Sequence, residues 1–318
     1  MSTLTAGGGP VGRPGPRAAV IIRQHSRPGE RVTMVAIAAA AGFSVLVTVG
    51  IVLALLFPAV EFFRQVSIVE FLTGTRWTPR FAGQESYGVL PLVTGTLWTT
   101  FIGLLIAVPF GLGAAVYLSE YAHPRVRKTL KPILEILAGI PSVVYGYFAL
   151  TFVAPVLLND LLNLEVGSFS TLAAGLVLGV MIIPTVASLS EDAMSAVPRA
   201  LRDGSFALGA NRMRTTLRVV FPAAVSGIMA SIVLALSRAI GETMIVALAA
   251  GTQPRMVASP LEAGQTMTGF IAQTATGEST PGTLSYDTLY AVGLALFVLT
   301  LVINIISIRL VRRFREAY

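Results

Sequence analysis

Long apolar stretches alternate with polar segments along the chain. Each stretch is long enough, at about 1.5 Å of rise per residue, to cross a hydrocarbon core roughly 30 Å thick. The stretches lie at residues 33–57, 89–118, 132–158, 171–189, 223–250 and 286–308. This pattern predicts an all-α integral membrane protein with six transmembrane helices, whose membrane domain occupies residues 32–310.

The polar segments differ in character. Residues 1–31 are rich in Gly and Pro and have no apolar periodicity, so we expect a disordered tail. Residues 58–88 have aromatic side chains near both ends, which is typical of segments at a membrane interface. Residues 191–222 are polar, Arg-rich and helical in character, and residues 311–318 form a short tail. The segment 191–222 therefore predicts a helical loop outside the bilayer that contacts another molecule.

Composition agrees with a membrane protein and excludes several kinds of chemistry. Hydrophobic residues make up 54% of the chain and charged residues 12%, whereas soluble domains have about 25% charged residues. The sequence has no cysteine, two histidines on different segments, and no lysine in the context of a phosphate-binding loop. Thiolate metal sites, paired-histidine metal sites and nucleotide hydrolysis through that loop are therefore excluded. We expect no catalytic residue, metal site or cofactor in this chain, and no nucleic-acid partner.

The positive charges predict the orientation in the membrane. Under the six-span interpretation, 18 of the 23 Lys and Arg residues fall on one side of the bilayer and four on the other, while Arg238 lies inside a span. Lys and Arg accumulate on the cytoplasmic side of membrane proteins. The chain is therefore expected to be a multi-pass protein with both termini and the segment 191–222 in the cytoplasm.

Seven positions in the segment 191–222 are candidate contacts with a partner. The small residues among them would let a short helix lie close to another surface, and Gly209 would let the chain turn between two helices. A proline fits the first turn of a helix, as expected where the fifth span begins. The seven positions are Asp203, Gly204, Ser205, Ala207, Gly209, Ala210 and Pro222.

The spacing of these residues, D-G-S-x3-G-x9-V-x-F-P, resembles the cytoplasmic signature of ABC importer permeases, E-A-A-x3-G-x9-I-x-L-P. The substitutions keep an acidic start, small residues and apolar anchors. In that family the loop forms a coupling helix docked on an ATPase subunit. The resemblance implies a type I ABC importer permease fold, with ATP and Mg²⁺ bound by the partner ATPase.

Two charged residues lie in the fifth apolar stretch. Arg238 and Glu242 are four positions apart, so a continuous helix would place them on one face. Arg238 would lie roughly 24 Å along the helix from Pro222, inside the membrane core. Such a pair either lines an anion pathway, since a guanidinium binds oxyanions through two donors, or holds helices together. Both alternatives stay open at this stage.

The third stretch carries glycine and proline that interrupt a helix, at Gly139, Pro141 and Gly146. Breaks of this kind are tolerated where the backbone lines a cavity or packs on neighbouring helices. Ser142, Tyr145 and Tyr147 could then donate hydrogen bonds to a passing anion, although helix packing explains them equally well. Glu135 lies four residues after Lys131 and is expected to form a local charge pair with it.

Three further segments resemble one particular type of permease subunit. KPILEILAGIPSVVYGYFAL at 131–150, SRAIGET in the fifth stretch, and TRWTPRF followed by YGVLPLVTGTLWTT look like the C-type permease subunit of bacterial phosphate-specific ABC importers. The resemblance implies transport of inorganic phosphate across the bacterial plasma membrane, with Arg238 and Glu242 in the pathway. It also implies three partners: an A-type permease subunit, an ATPase dimer, and an extracytoplasmic phosphate-binding protein.

Two alternatives compete with phosphate import. A sulfate or molybdate importer of the same family would share the loop signature but should lack the SRAIGET and LAGIPSVVYG segments. A secondary transporter or channel would work without an ATPase and should contain inverted repeats, and the sequence has no clear internal repeat.

Overall fold

The computed structural model describes residues 28–313, except 82, 278–279 and 281. The expected tail at 1–31 lies mostly outside the described residues, and its last four residues are helical. Residues 314–318 of the C-terminal tail also lie outside them. The chain divides into two compact units, residues 1–51 and 52–318. The described part of the first unit is the N-terminal portion of one helix with exposed side chains.

The described residues are nearly all helical. The helices are α1 (Pro28–Gln65), α2 (Ile68–Thr73), α3 (Leu90–Val116), α4 (Pro124–Ala138), α5 (Ser142–Phe148), α6 (Thr171–Ser195), α7 (Arg199–Ala207), α8 (Arg212–Thr215), α9 (Phe221–Ile240), α10 (Met244–Ala249), α11 (Met267–Thr276) and α12 (Leu284–Arg313). Stretches with π-helical hydrogen bonding continue α3 to Tyr121 and α5 to Leu161, and join α8 to α9 through Thr216–Val220.

Six of the helical segments are long and apolar enough to cross a membrane, which confirms the predicted number of spans. They are Arg31–Gln65, Leu90–Tyr121, Ser142–Leu161, Thr171–Ser195, Arg212–Ile240 and Leu284–Arg309. Because successive spans alternate in direction, the segment containing α7 and the segment containing α2 lie at opposite ends of the bundle.

Several predicted boundaries were wrong. The first helix runs to Gln65, so residues 58–65 are not a connecting segment. The third span begins at Ser142 and is preceded by a separate amphipathic helix, α4. The fifth span breaks after Ile240, and the segment 251–284 contains the largely buried α11. Hydropathy averaged over a long window does not register breaks of three residues. The apolar stretches 132–158 and 223–250 therefore each run across the boundary between two helices.

The centre of the second unit is the contact between α3 and α6, which pack along most of their length. Glycines make this contact close. A Cβ added at Gly175 would lie 2.7 Å from Cβ of Ile102, and one at Gly179 would lie 2.9 Å from the carbonyl oxygen of Gly103. Small residues at helix interfaces are the usual means of close packing in membranes, where burial of apolar surface does not drive association.

Two glycines of α3 give a direct test of this packing. A Cβ at Gly111 would lie 2.7 Å from Cβ of Val186, whereas one at Gly113 meets no atom within 4 Å. We expect Gly111→Ala to destabilise the protein by about 1–3 kcal/mol through overpacking. Gly113→Ala should be neutral or stabilising by up to about 1 kcal/mol. Thermal unfolding in detergent measures both, and equal effects would contradict the close α3–α6 contact.

An aromatic cluster closes the bundle at the end away from α7. The rings of Phe62, Phe71, Trp77 and Phe270 form a chain of edge-to-face contacts with centroids 5.1–6.1 Å apart. This geometry places the positive ring edge on the negative ring face. Tyr87 also contacts Phe62 edge-to-face, and burial, with the nearby carboxylates of Glu85 and Glu70, raises its pKa. The predicted interfacial segment is therefore a packed cap.

Candidate functional site

The break in the fifth span changes the predicted relation between its two charged residues. Arg238 lies in the last turn of α9, which ends at Ile240, while Glu242 lies in the non-helical connection before α10. Among the described residues, no ion pair joins them. The expectation that they share one helical face was wrong, because that face requires a helix that continues through Gly241.

Arg238 is fixed by a neighbouring helix. Its Nη1 donates a hydrogen bond of 3.0 Å to the hydroxyl of Thr185, in the middle of α6. This contact uses one of the five N–H donors of a guanidinium. Within the described part of the chain, the other donors have no hydrogen-bonded partner, so the charge is available to an anion.

Glu242 lies near the end of the break, just before α10, and bonds the start of that helix. Its Oε1 accepts hydrogen bonds from the backbone N–H groups of Met244 (3.0 Å) and Ile245 (3.4 Å), at the start of α10. Its carbonyl oxygen accepts a bond of 2.7 Å from Thr268 of α11. Oε2 has no donor among the described residues. The carboxylate therefore caps α10 and keeps one oxygen free.

The third span approaches this region through α5. Gly146 lies against α10: a Cβ there would be 3.1 Å from both Cα of Ile245 and the carbonyl oxygen of Met244. Gly146 therefore serves close packing inside α5 and does not interrupt it, contrary to the prediction. The interruption at Gly139 and Pro141 is confirmed, since α4 ends at Ala138 and α5 starts at Ser142.

Tyr145 joins the two sides of that interruption. Its hydroxyl donates a hydrogen bond of 3.0 Å to the carbonyl oxygen of Leu137, in the last turn of α4. Ser142 is the first residue of α5 and is half-buried; its hydroxyl makes no hydrogen bond within the described residues, so its predicted role stays a prediction.

At the other end of the fifth span, the polar segment forms two short helices. Gly209 lies between α7 and α8 with φ of +80°, in the left-handed region that glycine adopts without strain. The predicted turn is confirmed. Asp203, Gly204 and Ala207 are exposed on α7, while Ser205 forms a 2.9 Å hydroxyl–hydroxyl hydrogen bond with Thr215 of α8. Ala210, next to the turn, is half-buried.

Pro222 lies in the first turn of α9, as predicted. However, the helix does not begin there, because the π-helical stretch Thr216–Val220 connects it to α8. A proline inside a helix loses one backbone hydrogen bond and clashes with the carbonyl four residues earlier. The residue four positions before Pro222 lies in the π-helical stretch Thr216–Val220, whose wider turn leaves room for the proline ring.

The prediction that Glu191 belongs to the polar segment 191–222 outside the bilayer is wrong. It belongs to α6, and its side chain is fully buried. Its carboxylate accepts hydrogen bonds from Arg127, from Lys131 (2.8 Å) and from Ser195 (2.8 Å). Lys131 also contacts Asp192 at 2.5 Å. These contacts anchor α4 to α6.

Lys131 does not form the local pair with Glu135 that the sequence suggested. Its hydrogen bonds to Asp192 and Glu191 favour the charged ammonium and raise the pKa of Lys131, although partial burial opposes the shift. The carboxylates of α6 are the stronger partners because two of them converge on one ammonium.

Comparison with known families shows to which protein family this chain belongs. The sequence pattern of the family described as "Binding-protein-dependent transport system inner membrane component" matches residues 107–316, which include α4 to α12. This chain belongs to that family. It is therefore a transport permease and a multi-pass membrane protein.

Curated relatives of the permease cover about three quarters of it. The probable ABC transporter permease protein YqgH of Bacillus subtilis (strain 168) is 39% identical over 235 residues, covering 74% of this chain and 75% of the relative. The phosphate transport system permease protein PstC 1 of Mycobacterium tuberculosis is 35% identical over 279 residues, covering 77% and 82%. PstC of Mesorhizobium japonicum is 34% identical over 254 residues, covering 74% and 76%.

Solved structures show the fold. The permease matches a chain of a bacterial ABC transporter that imports the polysaccharide alginate with a TM-score of 0.59 at 17% identity, covering 89% of this chain and 99% of that one. A chain of the MetNI methionine ABC transporter in an inward-facing conformation gives a TM-score of 0.53 at 21% identity, with coverage of 72% and 95%. The permease therefore has the type I ABC importer permease fold.

Three exposed apolar side chains near Gly209 are not among the contact residues predicted from the sequence. Leu208 is 91% exposed, Met213 63% and Phe206 45%. They surround the turn at Gly209, so the permease presents an apolar surface where α7 meets the start of the fifth membrane-crossing segment. Apolar residues interspersed among the arginines of this segment are the sequence signal for this surface.

Proposed function

We propose that this permease is the C-type subunit of an ATP-driven importer of inorganic phosphate. The observation that carries the proposal is Arg238. It lies where a transmembrane helix breaks, it is held by Thr185 alone among the described hydrogen-bond partners, and it is not neutralised by Glu242. An arginine with free donors inside a span is suited to an oxyanion. The names of the PstC relatives support phosphate as that oxyanion.

Glu242 supports phosphate over sulfate. Its Oε2 is free of protein donors in the described residues and can accept a hydrogen bond from a protonated oxyanion. Phosphate carries such a proton near neutral pH and sulfate does not. The negative charge of Glu242 also weakens anion binding near Arg238, which favours release, since permeation requires binding that is not too tight.

The surface around Gly209 supports docking of an ATPase. Exposed apolar side chains on a soluble segment are typical of protein interfaces, and Leu208 and Met213 provide them here. The permease would be non-catalytic and would take its energy from an ATPase dimer that binds ATP and Mg²⁺. An A-type permease would complete the membrane pathway, and a phosphate-binding protein would dock at the opposite end, near the aromatic cap.

The charges support an orientation with both termini in the cytoplasm of a bacterial cell. An even number of spans places the two termini on the same side. That side carries 18 of the Lys and Arg residues, including those of α4, α7 and α8, as the positive-inside rule requires. The surface around Gly209 then faces the compartment that contains ATP.

The test is reconstitution. The complex of this permease with its A-type partner, ATPase and binding protein is placed in vesicles of phosphatidylethanolamine and phosphatidylglycerol with ATP and Mg²⁺ on the ATPase side. We expect uptake of radiolabelled phosphate that needs both ATP and binding protein, is blocked by vanadate, and persists in a large excess of sulfate or molybdate. Uptake of sulfate or molybdate in place of phosphate would overturn the substrate assignment.

A further inference from the structure

One arginine of α7 points away from the exposed surface around Gly209. The side chain of Arg202 is only 16% exposed and pairs with Glu120, which is 8% exposed. The pair is two-pronged: Nη2 to Oε1 is 2.9 Å and Nε to Oε2 is 3.4 Å. Glu120 lies in the π-helical end of the second span. A side chain of the short soluble helix is thus bound to a transmembrane helix.

The same guanidinium also bonds the end of α6. Nη2 donates to the carbonyl oxygen of Met194 at 2.8 Å, and Nη1 donates to that of Val197 at 2.5 Å. The carbonyl of Met194 also accepts a backbone hydrogen bond of 3.2 Å from Val197, and Arg202 adds a charged donor to each of the two carbonyls. Arginine is suited to this position because its planar group offers several donors in fixed directions.

The end of α6 is in turn bonded to α4. Glu191 and Ser195, on the last two turns of α6, are joined to Arg127 of α4, and Asp192 is joined to Lys131. A displacement of α7 that is transmitted through Arg202 therefore reaches α4 through charged hydrogen bonds. The buried carboxylate of Glu191 makes this second junction costly to open.

From α4 the contacts continue to the charged break. Tyr145 bonds the last turn of α4 to α5 across the interruption at 139–141, and Gly146 places α5 directly on the backbone of α10. Glu242 caps α10. The hydrogen bonds and packing contacts thus form a continuous series from Arg202 to the residues proposed to line the pathway.

We propose that Arg202 is a positioning residue for energy coupling, which transmits displacement of α7 to α4 and, through α5 and α10, to the pathway. The inference rests on the proposed function as an ATP-driven permease. It assigns Arg202 to neither substrate nor ATPase contact: its role is to make α7 and the membrane helices move together. Without Arg202, the connection between α6 and α7 would absorb the displacement of α7, and the membrane helices would not move with it.

The experiment compares Arg202→Gln with Arg199→Gln in the reconstituted complex. Arg199 lies on the same helix, is exposed, and has no hydrogen-bonded partner among the described residues. We expect Arg202→Gln to lower anion transported per ATP hydrolysed by about tenfold, while the ATPase still co-purifies and basal hydrolysis persists. Arg199→Gln should leave the ratio unchanged.

A double variant separates coupling from stability. Arg202→Gln leaves the carboxylate of Glu120 buried without its cation, which alone destabilises the protein. Glu120→Gln combined with Arg202→Gln removes that charge, so the melting temperature should recover while the transport ratio stays low. Recovery of the ratio in the double variant would overturn the proposal, as would wild-type coupling in Arg202→Gln or loss of its ATPase subunit.

The outcome does not depend on the substrate assignment. If the wild-type complex imports another anion, the ratio is measured for that anion, and only the assignment of phosphate fails. If the wild-type complex imports phosphate and Arg202→Gln couples normally, only the role of Arg202 fails.

Discussion

Arg238→Ala should reduce ATP-driven phosphate uptake by about 100-fold or more in the reconstituted complex. The guanidinium offers two donors to one oxyanion, and hydrogen bonds to charged groups contribute roughly 1.5–3 kcal/mol each. Loss of about 3 kcal/mol corresponds to roughly two decades in affinity. Binding of ATPase and partner subunits should be unchanged, since Arg238 bonds only Thr185 among the described side chains.

Thr185→Val is the matched control. It removes the hydrogen bond that holds Arg238 but leaves the charge in place, so uptake should fall less than about fivefold, as expected for one hydrogen bond near 1 kcal/mol. Glu242→Gln keeps an oxygen for the cap of α10 and tests the carboxylate charge in the same assay, where uptake should be lost. Full uptake by Arg238→Ala would refute the pathway assignment.

Gly209→Val should release the ATPase from the purified complex. At φ of +80°, a residue with a Cβ pays about 1–2 kcal/mol of backbone strain, and a β-branched residue such as valine is poorly accommodated there. No atom lies within 4 Å of the added Cβ, so the effect would come from the backbone. The turn would open, and α7 and α8 would no longer present one apolar surface.

Gly209→Asn is the control for this prediction, because asparagine tolerates the left-handed conformation. It should retain the ATPase and most of its coupled activity. Co-purification of each variant with the ATPase, followed by substrate-stimulated hydrolysis, measures the difference. Normal assembly and coupling in Gly209→Val would argue against a docking role for this turn.

The sequence was sufficient for features encoded over short distances. Six apolar stretches predicted six spans, and the glycine at 209 predicted a turn between two helices; both are confirmed. The resemblance to importer permeases, drawn from the 203–222 spacing, also predicted the family correctly. Each of these three predictions rests on residues that are close together in the sequence.

The remaining features depend on contacts between distant residues. Nothing near Lys131 in the sequence indicates that it bonds Glu191, 60 positions away, and not Glu135. The burial of Glu191 likewise follows from the position of α4 on α6. A continuous helix would place Arg238 and Glu242 on one face, whereas Glu242 bonds the start of α10.

The anchor between α4 and α6 has a consequence for cells that acidify. Hydrogen bonds to Asp192 and Glu191 raise the pKa of Lys131 above its usual value of about 10.4. Such a group contributes its full stabilisation below its unfolded pKa and loses it only as pH rises through the folded pKa. Moderate acidification leaves the ammonium charged, so Lys131 keeps its contribution to the anchor when the pH falls below neutrality.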